Sequence, residues 1–172
     1  MPRLMLLRHA KSSWAEAAPD DFDRPLNRRG RRAAAAMGAH MASCGLIPRR
    51  ILCSPAVRAR ETLNGVLSTL PTAPDVRFVS ALYAASETGY LTAIRAHADD
   101  AESLLIIGHN PAIEDTALQL AGNRTAPAYA AMREKFPTAA LAVLDFEGDW
   151  RALRAQAAHL AAFVRPRDLA LA

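Results

Sequence analysis

The sequence predicts a three-layer α/β/α sandwich, with a mostly parallel sheet of five or six strands and an antiparallel edge. Three uninterrupted apolar runs, residues 4–7, 51–53 and 104–107, have the character of central strands buried on both faces. Each run ends abruptly in a tight exit followed by polar groups: Arg8-His9, Ser54-Pro55 with Arg58, and Gly108-His109. A neighbouring arginine and histidine are too costly to bury without partners, so they belong at the strand's carboxyl end. In an open α/β sheet that end is where ligands bind.

The 172 residues suffice for one domain, residues 1–172, that buries a core without disulfides or metal. Cys44 and Cys53 are the only cysteines and have no metal-ligand spacing. Cys53 closes an apolar strand and is expected to be a buried free thiol. A reducing, cytoplasmic setting fits, and the apolar run at residues 4–7 is too short for a signal-peptide core. No stretch approaches a membrane span, so no membrane partner is expected. The net charge is +4. Arg24, Arg28, Arg29, Arg31 and Arg32 form a basic cluster that would either dock a protein or simply solvate a helix. Only two lysines, few aromatic residues and no binding motif argue against nucleic acid. An anionic substrate drawn to a basic cleft accounts for the charge.

Along the chain, residues 11–27 form a polar loop leaving directly from His9, expected to wall the site. Asn27 should cap a helix running from Arg28 to near Gly45, with His40 as an ordinary helical residue. Strand 50–53 leads to Ser54-Pro55, expected as a cap and first-turn proline. On that helix Arg58 should lean over the strand ends while Arg60, about 200° away, falls nearer the packed side. Residues 75–79 form a further strand, and His97 lies near the end of the following helix, where the dipole favours it. Gly108 allows a sharp turn, and Asn110-Pro111 repeats the cap-and-proline start of a helix to Leu120. His109 then stands at a helix N-terminus, where amides favour an anion. Residues 138–146 read as a strand, Gly148-Asp149 as a hairpin turn and residues 150–153 as its partner. His159 is expected to pack.

Arg8, His9, Arg58 and His109 together suit a phosphoryl group. Neutral imidazole is a nucleophile near pH 7, and His9 would attack phosphorus to give a phosphohistidine that water hydrolyses. Arg8 and Arg58 offer planar forks for phosphate oxygens, and His109 a further hydrogen bond. The scheme needs no metal or cofactor. A two-histidine zinc site would want carboxylate or thiolate ligands and would not want two arginines beside it.

Leu7-Arg8-His9-Ala10 resembles the Arg-His-Gly signature of the histidine phosphatase superfamily, with alanine replacing glycine. Residues 54–62, Ser-Pro-Ala-Val-Arg-Ala-Arg-Glu-Thr, resemble its second arginine motif, and Gly108-His109-Asn110-Pro111 its second histidine motif. The resemblance runs from residue 4 to about residue 165, includes residues 23–27 and 136–138, and is nearest to the small SixA-like phosphohistidine phosphatase subgroup. It implies a phosphoglycerate mutase-like fold, His9 as the phosphorylated nucleophile, and Arg8, Arg58 and His109 as the phosphate pocket.

Larger relatives place a glutamate acid just after the third strand, where this chain reads Leu82-Tyr83-Ala84-Ala85. Without that acid, a substrate with a good leaving group is favoured, and phosphohistidine qualifies. Asp21, Asp23 and Glu87 are weak substitutes. The expected function is a phosphohydrolase acting on protein phosphohistidine, with a signal-transduction role. The alternatives are a small-molecule phosphomonoester phosphatase working on a phosphorylated metabolite, and a non-catalytic module that binds phosphorylated partners.

Overall fold

The computed structural model describes residues 1–14, 20–84 and 87–169, with the backbone alone of Glu87. Six strands form one sheet in the order β3-β2-β4-β1-β5-β6. The strands are β1 (Arg3–Arg8), β2 (Arg50–Cys53), β3 (Asp75–Phe78), β4 (Ser103–Gly108), β5 (Leu141–Phe146) and β6 (Ala158–Val164). β1 to β4 pair in parallel, while β5 runs antiparallel to both β1 and β6. The expected mixed sheet is therefore present.

Why it has three layers is visible in β1. Successive strand side chains point to opposite faces. Leu4 and Leu6 join one buried cluster with Leu104, Ile106, Ile113 and Tyr90. Met5 and Leu7 join another with Met37, Ile51, Leu63 and Ile107. The second face is covered by α1 (Arg28–Ser43) and α2 (Val57–Leu67). The first is covered by α3 (Ala81–Ala84), α4 (Glu87–His97), α5 (Ala112–Leu120) and α6 (Pro127–Glu134). Every residue of β1 from Leu4 to Leu7 is fully buried, as an apolar run with no alternation requires.

Asn27 caps α1 as expected, its side chain accepting from Gly30 N at 2.8 Å. The other two expected caps fail. α2 begins at Val57 and α5 at Ala112, each without a side-chain cap at its first turn: Ser54 Oγ accepts from the Ala56 N–H at 3.3 Å before the helix starts and also meets His109, while Asn110 Nδ2 turns to Glu114. The hairpin partner of β5 is β6, not residues 150–153, which make a 3₁₀ turn at Trp150–Ala152 with the Trp150 ring packed on Phe146. Burying Trp150 takes precedence over immediate strand pairing. Arg60 is exposed rather than near the packed side, and His159 is exposed on β6 rather than packed. Gly108 answers to crowding rather than to a turn: a Cβ there would collide with the Tyr90 hydroxyl.

Candidate active site

His9 leaves the end of β1 with its backbone tied on both sides, N–H to the Gly108 carbonyl at 2.9 Å and carbonyl to the Ala139 N–H at 3.1 Å. Its Nδ1 lies 2.8 Å from the Ala10 carbonyl. A carbonyl only accepts, so Nδ1 carries the proton and Nε2 keeps its lone pair. Nε2 in turn faces Arg58, whose Nε–H donates to it over 3.4 Å. Burial, with smaller contributions from His109, Arg58 and Arg8, pushes the His9 pKa down to about 3. The ring is therefore neutral at pH 7.

Arg58 stands in the first turn of α2, 6% exposed, over the strand ends. Its terminal nitrogens donate to Asp21, Nη1 to the backbone carbonyl at 2.6 Å and Nη2 to Oδ2 at 3.0 Å. The end of the fork expected to grip phosphate is thus held by a carboxylate. Arg8, at the end of β1, donates from Nη1 to the Phe136 carbonyl at 2.8 Å, while its buried Nε has no partner. Burial lowers the Arg8 pKa.

His109 follows β4, its backbone N–H donating to the Tyr90 hydroxyl at 2.9 Å. Its ring lies 5.1 Å from that of His9, centroid to centroid. Nε2 and Ser54 Oγ are 2.7 Å apart, and buried Nδ1 has no partner. Burial, then the charge of Arg58, brings the His109 pKa down to about 4. Among the described residues, four buried side-chain polar atoms lack a partner, and two of them belong to Arg8 and His109. Buried polar groups are rarely left so, and a phosphoryl oxygen would satisfy both.

All four predicted residues come together, carried by β1, α2 and the β4–α5 turn. Among the described residues, Asp21 is the weak acid candidate that reaches the site. Ser12 bridges to Leu26, and a short 3₁₀ turn, Asp21–Asp23, lies against α2. Asp21 Oδ2 also accepts from the Tyr83 hydroxyl at 2.8 Å, and Oδ1 from Arg24 Nε at 3.0 Å. The Tyr83 hydrogen bond is the largest cause holding the Asp21 pKa down to about 2. Asp21 is a carboxylate at neutral pH and not a ready proton donor. Asp23 is exposed, and the Glu87 side chain lies outside the described residues.

Two residues escaped sequence reasoning. Tyr83 sits edge-on to His109, centroids 5.5 Å apart, and against Phe22 at 5.1 Å. Ser54 is fully buried beside His109. Tyr83 falls in the segment after β3 where larger relatives carry glutamate, which was the one available signal; Ser54 gave a helix-cap signal instead. The histidines outside the site, His40, His97 and His159, stay away from it. Arg24 is held inward, Nη1 on Ser12 Oγ at 2.9 Å, with its guanidinium 3.6 Å above the Trp14 ring. Arg28, Arg29, Arg31 and Arg32 are exposed. Cys53 is buried, its thiol pushed up to about 12 by burial, and does not act here.

Residues 4–83 match the family model of the histidine phosphatase superfamily, branch 1. An uncharacterized protein of Mycobacterium leprae (strain TN) is 38% identical over 165 residues, covering 94% of this chain and 100% of the relative. A structure assigned as the phosphohistidine phosphatase SixA of Agrobacterium tumefaciens has a TM-score of 0.80 at 33% identity, covering 96% of this chain and 99% of that one. The alpha-ribazole phosphatase of Shigella flexneri shares the fold, with a TM-score of 0.65 at 16% identity over 95% and 96% of the two chains. Motifs, fold and relatives agree: the chain belongs to the histidine phosphatase superfamily and is a phosphatase. Within that superfamily it is SixA-like, with the phosphoglycerate mutase-like fold.

Proposed function

We propose that the protein removes phosphate from phosphohistidine on a partner protein, through a covalent intermediate on His9. The observation that carries this reading is the pinned tautomer: Nδ1–H on the Ala10 carbonyl, lone pair on Nε2, burial keeping the ring neutral. Nε2 attacks phosphorus, forming an N–P bond as the bond from phosphorus to the substrate's imidazole nitrogen breaks. The departing nitrogen keeps the electron pair and is neutralised by the proton that imidazole carries when protonated. Water then attacks the phosphohistidine, releasing inorganic phosphate and restoring His9. Arg8 Nε–H, Arg58 and His109 would stabilise the equatorial oxygens as charge shifts.

Two features support the substrate class. Asp21, the predicted acid at the site among the described residues, is ionised, so a leaving group that needs no strong acid suits the geometry. The connections at the strand ends are also short, β2 reaching α2 across residues 54–56 and β4 reaching α5 across residues 109–111. Short connections at these two strand ends leave little chain there for a lid that would enclose a small metabolite.

The test is rapid-quench incubation with a phosphohistidine-bearing protein carrying labelled phosphate. An acid-labile, alkali-stable label on the wild type and none on His9→Ala supports the reading. Phosphate release without such an adduct, or release from small phosphomonoesters alone, overturns it.

A further inference from the structure

A second cationic cleft opens at the same edge of the sheet, on the β5–β6 side of the site. It encloses about 230 Å³ and is lined by Lys11, Arg29, Lys135, Arg165 and Arg167, with Glu134 the one acid among its lining residues. Resting on the reading of a protein substrate given above, we propose that this cleft docks an acidic segment of the phosphorylated partner beside its phosphohistidine.

The placement comes from the chain itself. Lys11 is two residues beyond His9, at most about 7 Å along the backbone. On the other wall, Pro137 and Thr138 follow Phe136, whose carbonyl holds Arg8, and Ala139 N–H bonds to the His9 carbonyl. Because β5 is antiparallel to β1 and β6 antiparallel to β5, the end of β6 returns to the edge where β1 ends. Arg165 and the 3₁₀ turn Pro166–Asp168 are thereby carried to the cleft.

The charge is only partly compensated: Glu134 is in the lining, and Asp168 acts on both Arg165 and Arg167. Arg165 is chelated by Asp168 at 2.9 and 3.0 Å. Lys11, Arg29, Lys135 and Arg167 are exposed and form no hydrogen bond or ion pair through their side chains with a described residue. Lys11 and Lys135 are the only lysines in a chain of nineteen arginines. The four cations come from four separate elements around an apolar floor that includes Ala33, Pro137 and Pro166. A single phosphate wants converging donors, whereas spaced cations over an apolar floor complement carboxylates along a peptide.

Two measurements test the proposal. Fluorescence anisotropy of a labelled, unphosphorylated ten-residue glutamate peptide should show salt-sensitive binding to the wild type, weakened about tenfold or more by the double charge reversal Arg29→Glu with Arg167→Glu. In parallel, kcat/KM on a phosphohistidine protein with an acidic surface should fall by a similar factor, while turnover of free phosphoramidate stays within about twofold. That unchanged turnover also shows that the variant is folded. No peptide binding by the wild type, equal binding by the variant, or binding of inorganic pyrophosphate in place of the peptide overturns the proposal. If the wild type hydrolyses the phosphoprotein and charge reversal leaves that rate unchanged, docking alone fails. If the wild type hydrolyses phosphoramidate and no phosphoprotein, the protein-substrate reading fails, and the docking proposal with it.

Discussion

The Nε–H of Arg58 points at Nε2 of His9 across 3.4 Å, although the two lie 49 residues apart in sequence. Both terminal nitrogens donate to Asp21, and Nε is the nitrogen turned to the ring. Lysine has no equivalent of this laterally directed N–H. Arg58→Lys should therefore lower kcat/KM by about 10²–10³, the scale of losing one donor to a developing anion. Steady-state kinetics with phosphoramidate would check this, and a loss under about threefold would remove Arg58 from the phosphate pocket.

With Arg58 as a phosphate ligand, as proposed, Asp21 would compete with an anionic substrate for it. Replacing it with alanine removes a negative charge from the rim and should tighten inhibition by orthovanadate roughly threefold to tenfold, the scale of a partly exposed ion pair. Turnover of phosphoramidate should survive, since the Asp21 carboxyl is ionised at neutral pH. A collapse in kcat with no gain in vanadate affinity would instead make Asp21 the proton donor.

Activity should persist well below the ordinary histidine range. In the proposed mechanism the nucleophile His9 must be neutral, and burial holds its pKa down to about 3. The pH profile of kcat/KM should show no acid limb near 6.5 beyond that arising from ionisation of the substrate itself. An enzyme limb near 6.5, tracked with substrates of different phosphate pKa, would contradict the buried neutral ring.

Stability carries the opposite cost. The folded pKa values of His9 and His109 lie below the unfolded value, so between about pH 6.5 and their own pKa the unfolded chain binds more protons. Folding stability must then fall as pH drops below 6.5, by up to about 1.4 kcal/mol per unit for each ring. Above 6.5 neither contributes a slope. Thermal unfolding at pH 7, 6, 5 and 4.5 should show the decline, shallower in His109→Gln.

Tyr90 is fully buried and joins the His109 N–H to the Leu82 carbonyl through its hydroxyl. Tyr90→Phe leaves both groups without that partner and should cost about 1–3 kcal/mol in urea unfolding. Gly108→Ala should also destabilise, because the added methyl meets the same hydroxyl. Additive losses in the double variant would argue against this contact, since removing the hydroxyl ought to relieve part of the alanine clash.

Much of this was legible in the residues. Apolar runs without alternation dictate strands covered on both faces, and β1, β2 and β4 are such strands. The abrupt change from Leu7 to Arg8-His9, and from Ile107 to Gly108-His109, locates the polar groups at the strands' ends, since burying them inside would cost too much. Asn27 could be recognised as a cap because that interaction is local, spanning three residues. The same local logic did not place the helix starts at Ser54 and Asn110: Ser54 keeps a local bond from the Ala56 N–H but is shared with His109, and Asn110 donates to the Phe136 carbonyl.

Only the tertiary structure decided the rest, and the reason is distance along the chain. Tyr83 meets Asp21 across 62 residues and turns a loop carboxylate into the clamp on Arg58. The tautomer of His9 depends on where the Ala10 carbonyl turns after β1, which no spacing pattern encodes. The cationic cleft forms because antiparallel β5 begins, and β6 ends, at the edge where Lys11 emerges, which puts Lys135 before β5 and Arg167 after β6 beside it. Sequence periodicity reports which face of an element is buried, whereas the partner on that face is set by how the layers stack.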